Sequence, residues 1–398
     1  MTTSGGSGTP GASGAAGGGL PPLSAAALDV VRPAYGTGSL AELLPSVSAV
    51  LGVPGAVDVL GLGDVLGGVD RIAVLLVDGL GAYQIPDAAR HAPILGQLPG
   101  RTLTSGFPST TPVSLVTLGT GVPPGAHGIL GFTVRKPDGG VLNHIAWGTD
   151  PDPAHWQPIP TRFETAAAAG TRATLVTKTE FEGTGLTVAA YRGATFTGAG
   201  DPYALAAAML KALAEPGLVY GYHPDLDHQG HVSGIDSDPW RSAAATVGEL
   251  VARLADGLPP GAALLVTADH GQLDIPLDGR VDIAADPALS AGVVGVAGEP
   301  RVRYLYTRAG AVPDVVAAYR SVFGSSAWVL TRDEAVASGL FGPVSTAHLG
   351  RIGDVVVVCL DHTVALAGGW EPPAVGRLVA YHGSVTATEM TVPLLTVA

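Results

Sequence analysis

A single cysteine in 398 residues excludes disulfides within the chain. That residue, Cys359, lies inside the apolar run Val355-Val-Val-Val-Cys-Leu360 and reads as a small core residue, not a nucleophile or metal ligand. Charge is also scarce. Charged residues make up 14% of the sequence, and 21 Lys and Arg against 34 Asp and Glu leave a net charge of −13. Surface binding of a nucleic-acid polymer needs clustered Lys and Arg, so no such partner is expected. An anionic substrate would need local positive charge, for which bound cations are the obvious source. Long apolar runs are missing as well. The best candidates, Ile72 to Val77 and Val355 to Leu360, are strand-sized, against roughly 20 residues needed to cross a bilayer. The first basic residue is Arg32, and the short apolar stretch Ala25 to Val31 is interrupted by Asp29. This lack of a secretory pattern predicts a cytoplasmic protein with no membrane span. Oligomeric state leaves no trace in the sequence.

What is abundant is Gly, Ala and other small or apolar residues, with hydrophobic residues at 46%. Residues 1–26 are Gly/Ser/Pro-rich with no charged side chain, and are expected to form a disordered tail. From 27 to 398, short Val/Ile/Leu runs alternate with Ala-rich helical stretches, the pattern of a parallel sheet covered on both faces. The expected fold is α/β. Candidate strands are Ile72 to Val77, Ala173 to Thr177, Leu218 to Tyr222, Leu264 to Thr267 and Val355 to Leu360; Pro202 to Ala214 and Asp238 to Leu258 read as helices. The rhythm loosens between Gly271 and about Gly350, which points to a small cap subdomain within 272–350.

Three strands run into acidic or imidazole groups: Val77 into Asp78-Gly79, Tyr222 into His223-Pro-Asp-Leu-Asp227, and Thr267 into Ala268-Asp-His-Gly271. In open α/β sheets the ligand crevice lies beyond the carboxyl ends of the strands, where residues distant in sequence converge. Asp227 and His231 are spaced to share one face of a helical turn. Alone, Asp78 is a common turn former and His382, in Tyr381-His-Gly383, a common hydrogen-bonded turn residue. Together, Asp78, Asp227, His231, Asp269, His270 and His382 supply three carboxylates and three imidazoles, enough to hold two divalent cations. The mixture suits Zn2+, although Mn2+ or Fe fits the same donors. Two such ions about 3.5–4 Å apart clamp the attacking and leaving oxygens of a displacement at phosphorus.

A nucleophile is available in Phe107-Pro-Ser-Thr-Thr-Pro-Val-Ser114. Thr111 precedes Pro112, and proline suits the first helical position, so Thr111 is expected at a helix N-cap where N–H groups and the dipole favour phosphate. Thr-Pro is also a common helix start with no chemical meaning. The candidate ligands give it one here.

These residues resemble the alkaline phosphatase superfamily, most closely its type I phosphodiesterase/nucleotide pyrophosphatase branch. The resemblance is carried by Leu75-Leu-Val-Asp-Gly79, the Thr111-Pro segment ending in Pro124-Gly-Ala-His-Gly128, Tyr222 to His231, Thr267-Ala-Asp-His-Gly271 and Tyr381-His-Gly383, in that family's order. It implies an alkaline-phosphatase-like fold and one zinc on Asp227, His231 and His382. The other zinc would sit on Asp78, Asp269, His270 and the nucleophile Thr111, with Thr110 the alternative by one residue of register. It also implies a phospho-threonine intermediate. Ser114 stands where the family commonly has an Asn that hydrogen-bonds a phosphoryl oxygen. The expected substrates are small phosphate diesters or nucleotide pyrophosphates. Phosphate monoesters and phosphonates are the alternatives within the superfamily, and a binding protein without catalysis is the alternative outside it. Sulfatase chemistry is disfavoured, because the position two after Pro112 is Ser114 with no Arg nearby. Arg135, Lys136 and Lys178 are candidate cations for a monoester's extra charge. Tyr83, Phe132 and Trp147 could stack on a leaving group, though such aromatics more often pack in cores.

Overall fold

The computed structural model describes residues 19–398. The expected tail therefore lies largely outside the described residues. Its last part rests on the domain: the Gly19 N–H donates to the Leu98 carbonyl, and the Tyr83 hydroxyl donates to the Ala25 carbonyl.

Eleven strands form the two main sheets: β1 (Arg71–Val77), β2 (Gly100–Thr104), β3 (Ala173–Lys178), β4 (Thr195–Ala199), β5 (Gly217–His223), β6 (Ala262–Thr267), β7 (Val293–Glu299), β8 (Val302–Thr307), β9 (Ala327–Thr331), β10 (Val355–Cys359) and β11 (Thr391–Val397). The central sheet has seven strands in the order β2-β11-β6-β1-β5-β3-β4. All its pairings are parallel except those of β11, which runs against both neighbours. β1 is central and buried from Ile72 to Val77, which explains its unbroken apolar run: neither face meets water. Full burial of each Val, Leu or Ile contributes about 1.5–3 kcal/mol. Helices flank the sheet. The longest, Asp238–Asp256, begins with Ser237 accepting from the Trp240 N–H and buries Trp240, Ala244, Val247 and Val251 along one stripe. No described helix is long and apolar enough to cross a membrane.

The run Val355 to Leu360 is a strand, but not one of the parallel sheet. β10 lies in a second, wholly antiparallel sheet, β7-β8-β10-β9. Its alternate residues face different cores. Val356 and Val358 join the main core, whereas Val355, Val357 and Cys359 pack in a separate cluster with Leu305, Val315, Tyr319 and Phe323. A strand apolar on both faces reads the same in either kind of sheet, and this one is covered by the main domain on one side and the helix Val312–Phe323 on the other. The stretch 272–350 thus supplies three of that sheet's four strands.

Register fixes the site. Val77 lies opposite His223 and Leu76 opposite Thr267, so β1, β5 and β6 end level and deliver Asp78, the Asp225–Ser233 helix and Asp269-His270 to one edge.

Candidate active site

Asp78 emerges from β1 and is buried. Its Oδ2 accepts from the Tyr222 hydroxyl, while Oδ1 has no hydrogen-bond partner. Asp269 is fully buried after β6. Its Oδ1 accepts from the Gly79 N–H at 3.2 Å, and its Oδ2 is unpartnered. The His270 Nε2 lies 3.3 Å from Asp269 Oδ2, 3.5 Å from Asp78 Oδ1 and 3.2 Å from Thr111 Oγ1. One turn apart on their helix, Asp227 and His231 approach to 3.3 Å. The helix sits close because residue 79 is glycine, in the left-handed region at φ 74°: a Cβ there would lie 3.0 Å from Asp227 Cα.

All three imidazoles share one device. The Nδ1–H groups of His231, His382 and His270 donate to the carbonyls of Ala380, Ser109 and Gly271, at 2.8, 3.0 and 3.2 Å. A carbonyl only accepts, so each Nδ1 carries the proton and each Nε2 is left bare toward the site. The Nε2 atoms of His231 and His382 face each other at 3.1 Å, and the His270 and His382 rings stack at 3.6 Å. Two lone pairs at that distance repel unless a proton or a cation lies between them.

The carboxylates make the same demand. Burial, then the Asp269 and Asp227 charges, pushes Asp78 well above its ordinary range, and burial pushes Asp269 up. Asp227 is also buried, but His231, His382 and His270 hold it below its ordinary range. Donor atoms of Asp227, His231 and His382 lie within 4.8 Å of one another, as do those of Asp78, Asp227 and His270. Asp227 therefore stands between two ligand groups, and Asp269 Oδ2 borders the second. Three carboxylates, two of them with an orphaned oxygen, and three bare imidazole nitrogens fit a pair of divalent cations.

Thr111 differs in detail from its expected placement. The Ser114 N–H closes the first helical turn on the Thr110 carbonyl at 3.0 Å, so Thr110, with extended backbone, is the N-cap and Thr111 the first helical residue. The Thr111 side chain lines the cleft; the Thr110 Oγ1 is buried away from it without a partner. Ser114 is not brought to the cleft. Its Oγ lies 2.8 Å from Ser105 Oγ inside the domain, because the helix rotates it inward.

Above these residues opens a cavity of about 620 Å³. Thr111, Asp78, Asp227, His231 and His382 line it, and Phe132, Phe181, Tyr222, Ile145 and Trp370 supply apolar wall. Phe132 is thus placed for stacking, whereas Trp147 is core and its Nε1 donates to the Pro151 carbonyl. Tyr83 does not line the cavity. Arg135, Lys136 and Lys178 do not line it either: they engage the Tyr306 ring, Asp138 and Asp225. Among the described residues, Arg303 is the one Lys or Arg on its wall, and it is committed to Glu371 and the Ala365 carbonyl.

Several supporting residues carry no signal of their own in the sequence. Tyr222 holds Asp78, and Gln272 donates to Asp227. Arg301 and Glu389, both fully buried, bridge the second sheet to the loop after His382 at 2.6 Å. Tyr222 opens the Tyr222 to His231 motif and Gln272 lies two residues past His270, but neither position shows which carboxylate it serves.

A model of the type I phosphodiesterase/nucleotide pyrophosphatase family matches residues 72–385. No curated protein sequence matches. Among solved structures, the chain is similar to murine ectonucleotide pyrophosphatase/phosphodiesterase 5, at 17% identity and TM-score 0.63, covering 81% of this chain and 87% of that one. A structure of that enzyme in an inactive form, complexed with AMP, matches at TM-score 0.62 and 16% identity, covering 82% and 87%. Phosphonoacetate hydrolase from Sinorhizobium meliloti 1021, complexed with phosphonoacetate, matches at TM-score 0.62 and 21% identity, covering 82% and 89%. At these identities the likeness speaks for the fold alone.

Proposed function

The chain belongs to the type I phosphodiesterase/nucleotide pyrophosphatase family, a hydrolase family, and from that premise we propose that it cleaves small phosphate diesters or nucleotide pyrophosphates with Thr111 as nucleophile. The observation that carries this reading is the Thr111 Oγ1 in the cleft, 3.2 Å from the bare His270 Nε2 and beside both ligand groups. Asp227, His231 and His382 would hold one divalent cation, Zn2+ by donor chemistry, and Asp78, Asp269 and His270 with Thr111 the other. Bound there, such cations lower the pKa of an oxygen nucleophile and neutralise charge on the oxygens at phosphorus.

The chain's own groups do the rest. Thr111 sits in the first turn of a ten-residue helix, where N–H groups lack intrahelical partners and the dipole favours a phosphoryl group. Its oxygen forms the bond to phosphorus as the bond to the leaving oxygen breaks, giving a phosphoester of Thr111. Water then cleaves that ester, so two displacements retain configuration at phosphorus. The Nδ1–carbonyl bonds hold the imidazoles in place throughout.

The wall favours diesters over the alternatives within the superfamily. A monoester dianion or a carboxylate-bearing phosphonate needs a further cationic group, and Arg303 is already engaged. The test compares bis-p-nitrophenyl phosphate, p-nitrophenyl phosphate and phosphonoacetate on zinc-loaded protein, with chelator-treated and Thr111→Ala controls. Diester turnover should dominate, vanish on chelation and fall by roughly a thousandfold or more in the variant. Preference for either other substrate would move the assignment to that class.

A further inference from the structure

Ser114 faces Ser105, so the residue at the position expected to hydrogen-bond a phosphoryl oxygen does not reach the cleft. Another side chain does. Glu299 ends β7, is 5% exposed and lines the same cavity as Thr111 and His382. Its carboxyl lies against Gly383, the residue after His382: a Cβ on that glycine would meet Glu299 Cδ at 2.8 Å and Oε2 at 2.9 Å. Gly383 has φ 130°, so both its conformation and the space around it admit only glycine. The Thr110 hydroxyl and the Phe132 backbone flank the other side and, with Arg303, favour the ionised form against the effect of burial. Glu299 Oε1 is buried and has no hydrogen-bond partner.

A buried carboxyl oxygen without a hydrogen-bond partner, in the wall of an anion-binding cleft, is costly unless something uses it. Its own salt-bridge candidate is taken, since Arg303 pairs with Glu371. Burial pushes the acid up to about 8, and in its protonated form the carboxyl is a donor.

We propose that Glu299 is a substrate-binding residue whose carboxyl donates a hydrogen bond to a non-bridging oxygen of the phosphoryl group attacked by Thr111. This rests on the function proposed above and adds the group that positions phosphorus where Ser114 does not. No bond is made or broken by Glu299; the proton stays on its carboxyl oxygen.

The test uses the full zinc-loaded chain and two near-isosteric variants, Glu299→Gln, which keeps a donor, and Glu299→Met, which removes it. Two readouts are taken: kcat/KM for bis-p-nitrophenyl phosphate, and calorimetric affinity for inorganic phosphate. Zinc content and melting midpoint confirm that each variant is folded and loaded. A hydrogen bond to a charged oxygen predicts a loss of about 10- to 100-fold in kcat/KM for the Met variant. Phosphate affinity should weaken about tenfold, while the Gln variant stays within about threefold on both. A Met variant equal to wild type, or a Gln variant as impaired as Met, overturns the inference. A wild-type protein inert to both probes overturns the parent reading and this one with it.

Discussion

Asp78 shows what the site costs when no cation is bound. Burial and two neighbouring carboxylates push its pKa above the ordinary value, so ionising it opposes folding. The sign follows directly: the unfolded chain gives up this proton first. The cation-free protein should therefore lose stability as pH rises through the ordinary carboxylate range. Asp78→Asn keeps an acceptor for the Tyr222 hydroxyl and removes the charge. The chelated variant should melt higher than chelated wild type at pH 7, by about 2–4 °C for each kcal/mol gained. The proposed site predicts that zinc raises the wild-type melt by mass action and that the variant loses most of that shift. Calorimetric melts with and without zinc check both, and an Asn variant that melts lower when chelated would contradict the electrostatic argument. At this scale the sequence was informative wherever chemistry-bearing types stood at strand ends, as Asp78, Asp269 and His270 do. Glu299 and Gln272 were opaque, and Tyr222 was read as a strand end but not as the partner of Asp78, because each role depends on a partner dozens of positions away.

Among the elements, the strands at the site's edge were legible because a parallel strand covered on both faces must be apolar throughout, as β1, β5 and β6 are. The same rule misplaced β10. An antiparallel strand between two cores gives the same run of valines, and only the pairing partners distinguish them. In the central sheet β2, β4 and β11 were missed, β2 and β4 being short edge strands of mixed polarity and β11 carrying Pro393, and in the second sheet β7, β8 and β9 were missed as well. The two sheets are joined by Arg301 and Glu389. Glu389 also accepts from the Ser384 N–H and the Thr386 hydroxyl, and so anchors the loop after His382. Removing the cation strands a buried carboxylate, so Arg301→Met should destabilise the protein by about 3–5 kcal/mol. Urea unfolding of the metal-loaded chain measures this; an unchanged midpoint would mean the pair contributes no net stability.

For the whole molecule, one arrangement recurs: level strand ends, a helix start aimed into the cleft, and a second sheet that contributes Glu299 and Arg303 to the cavity wall. The fold class and the convergence of motifs were readable because both follow from strand order and strand-end chemistry. The wall was not, because it is built from the stretch whose rhythm is irregular in sequence. The covalent step at Thr111 is the chemical centre of the proposed function. The direct measurement is acid quenching of the zinc-loaded protein during turnover of bis-p-nitrophenyl phosphate, followed by intact mass and peptide mapping. A phosphoester adduct on Thr111, absent from the Thr111→Ala protein and lost as substrate is exhausted, is the predicted result. Turnover with no adduct, or an adduct carried by Thr110, would contradict it.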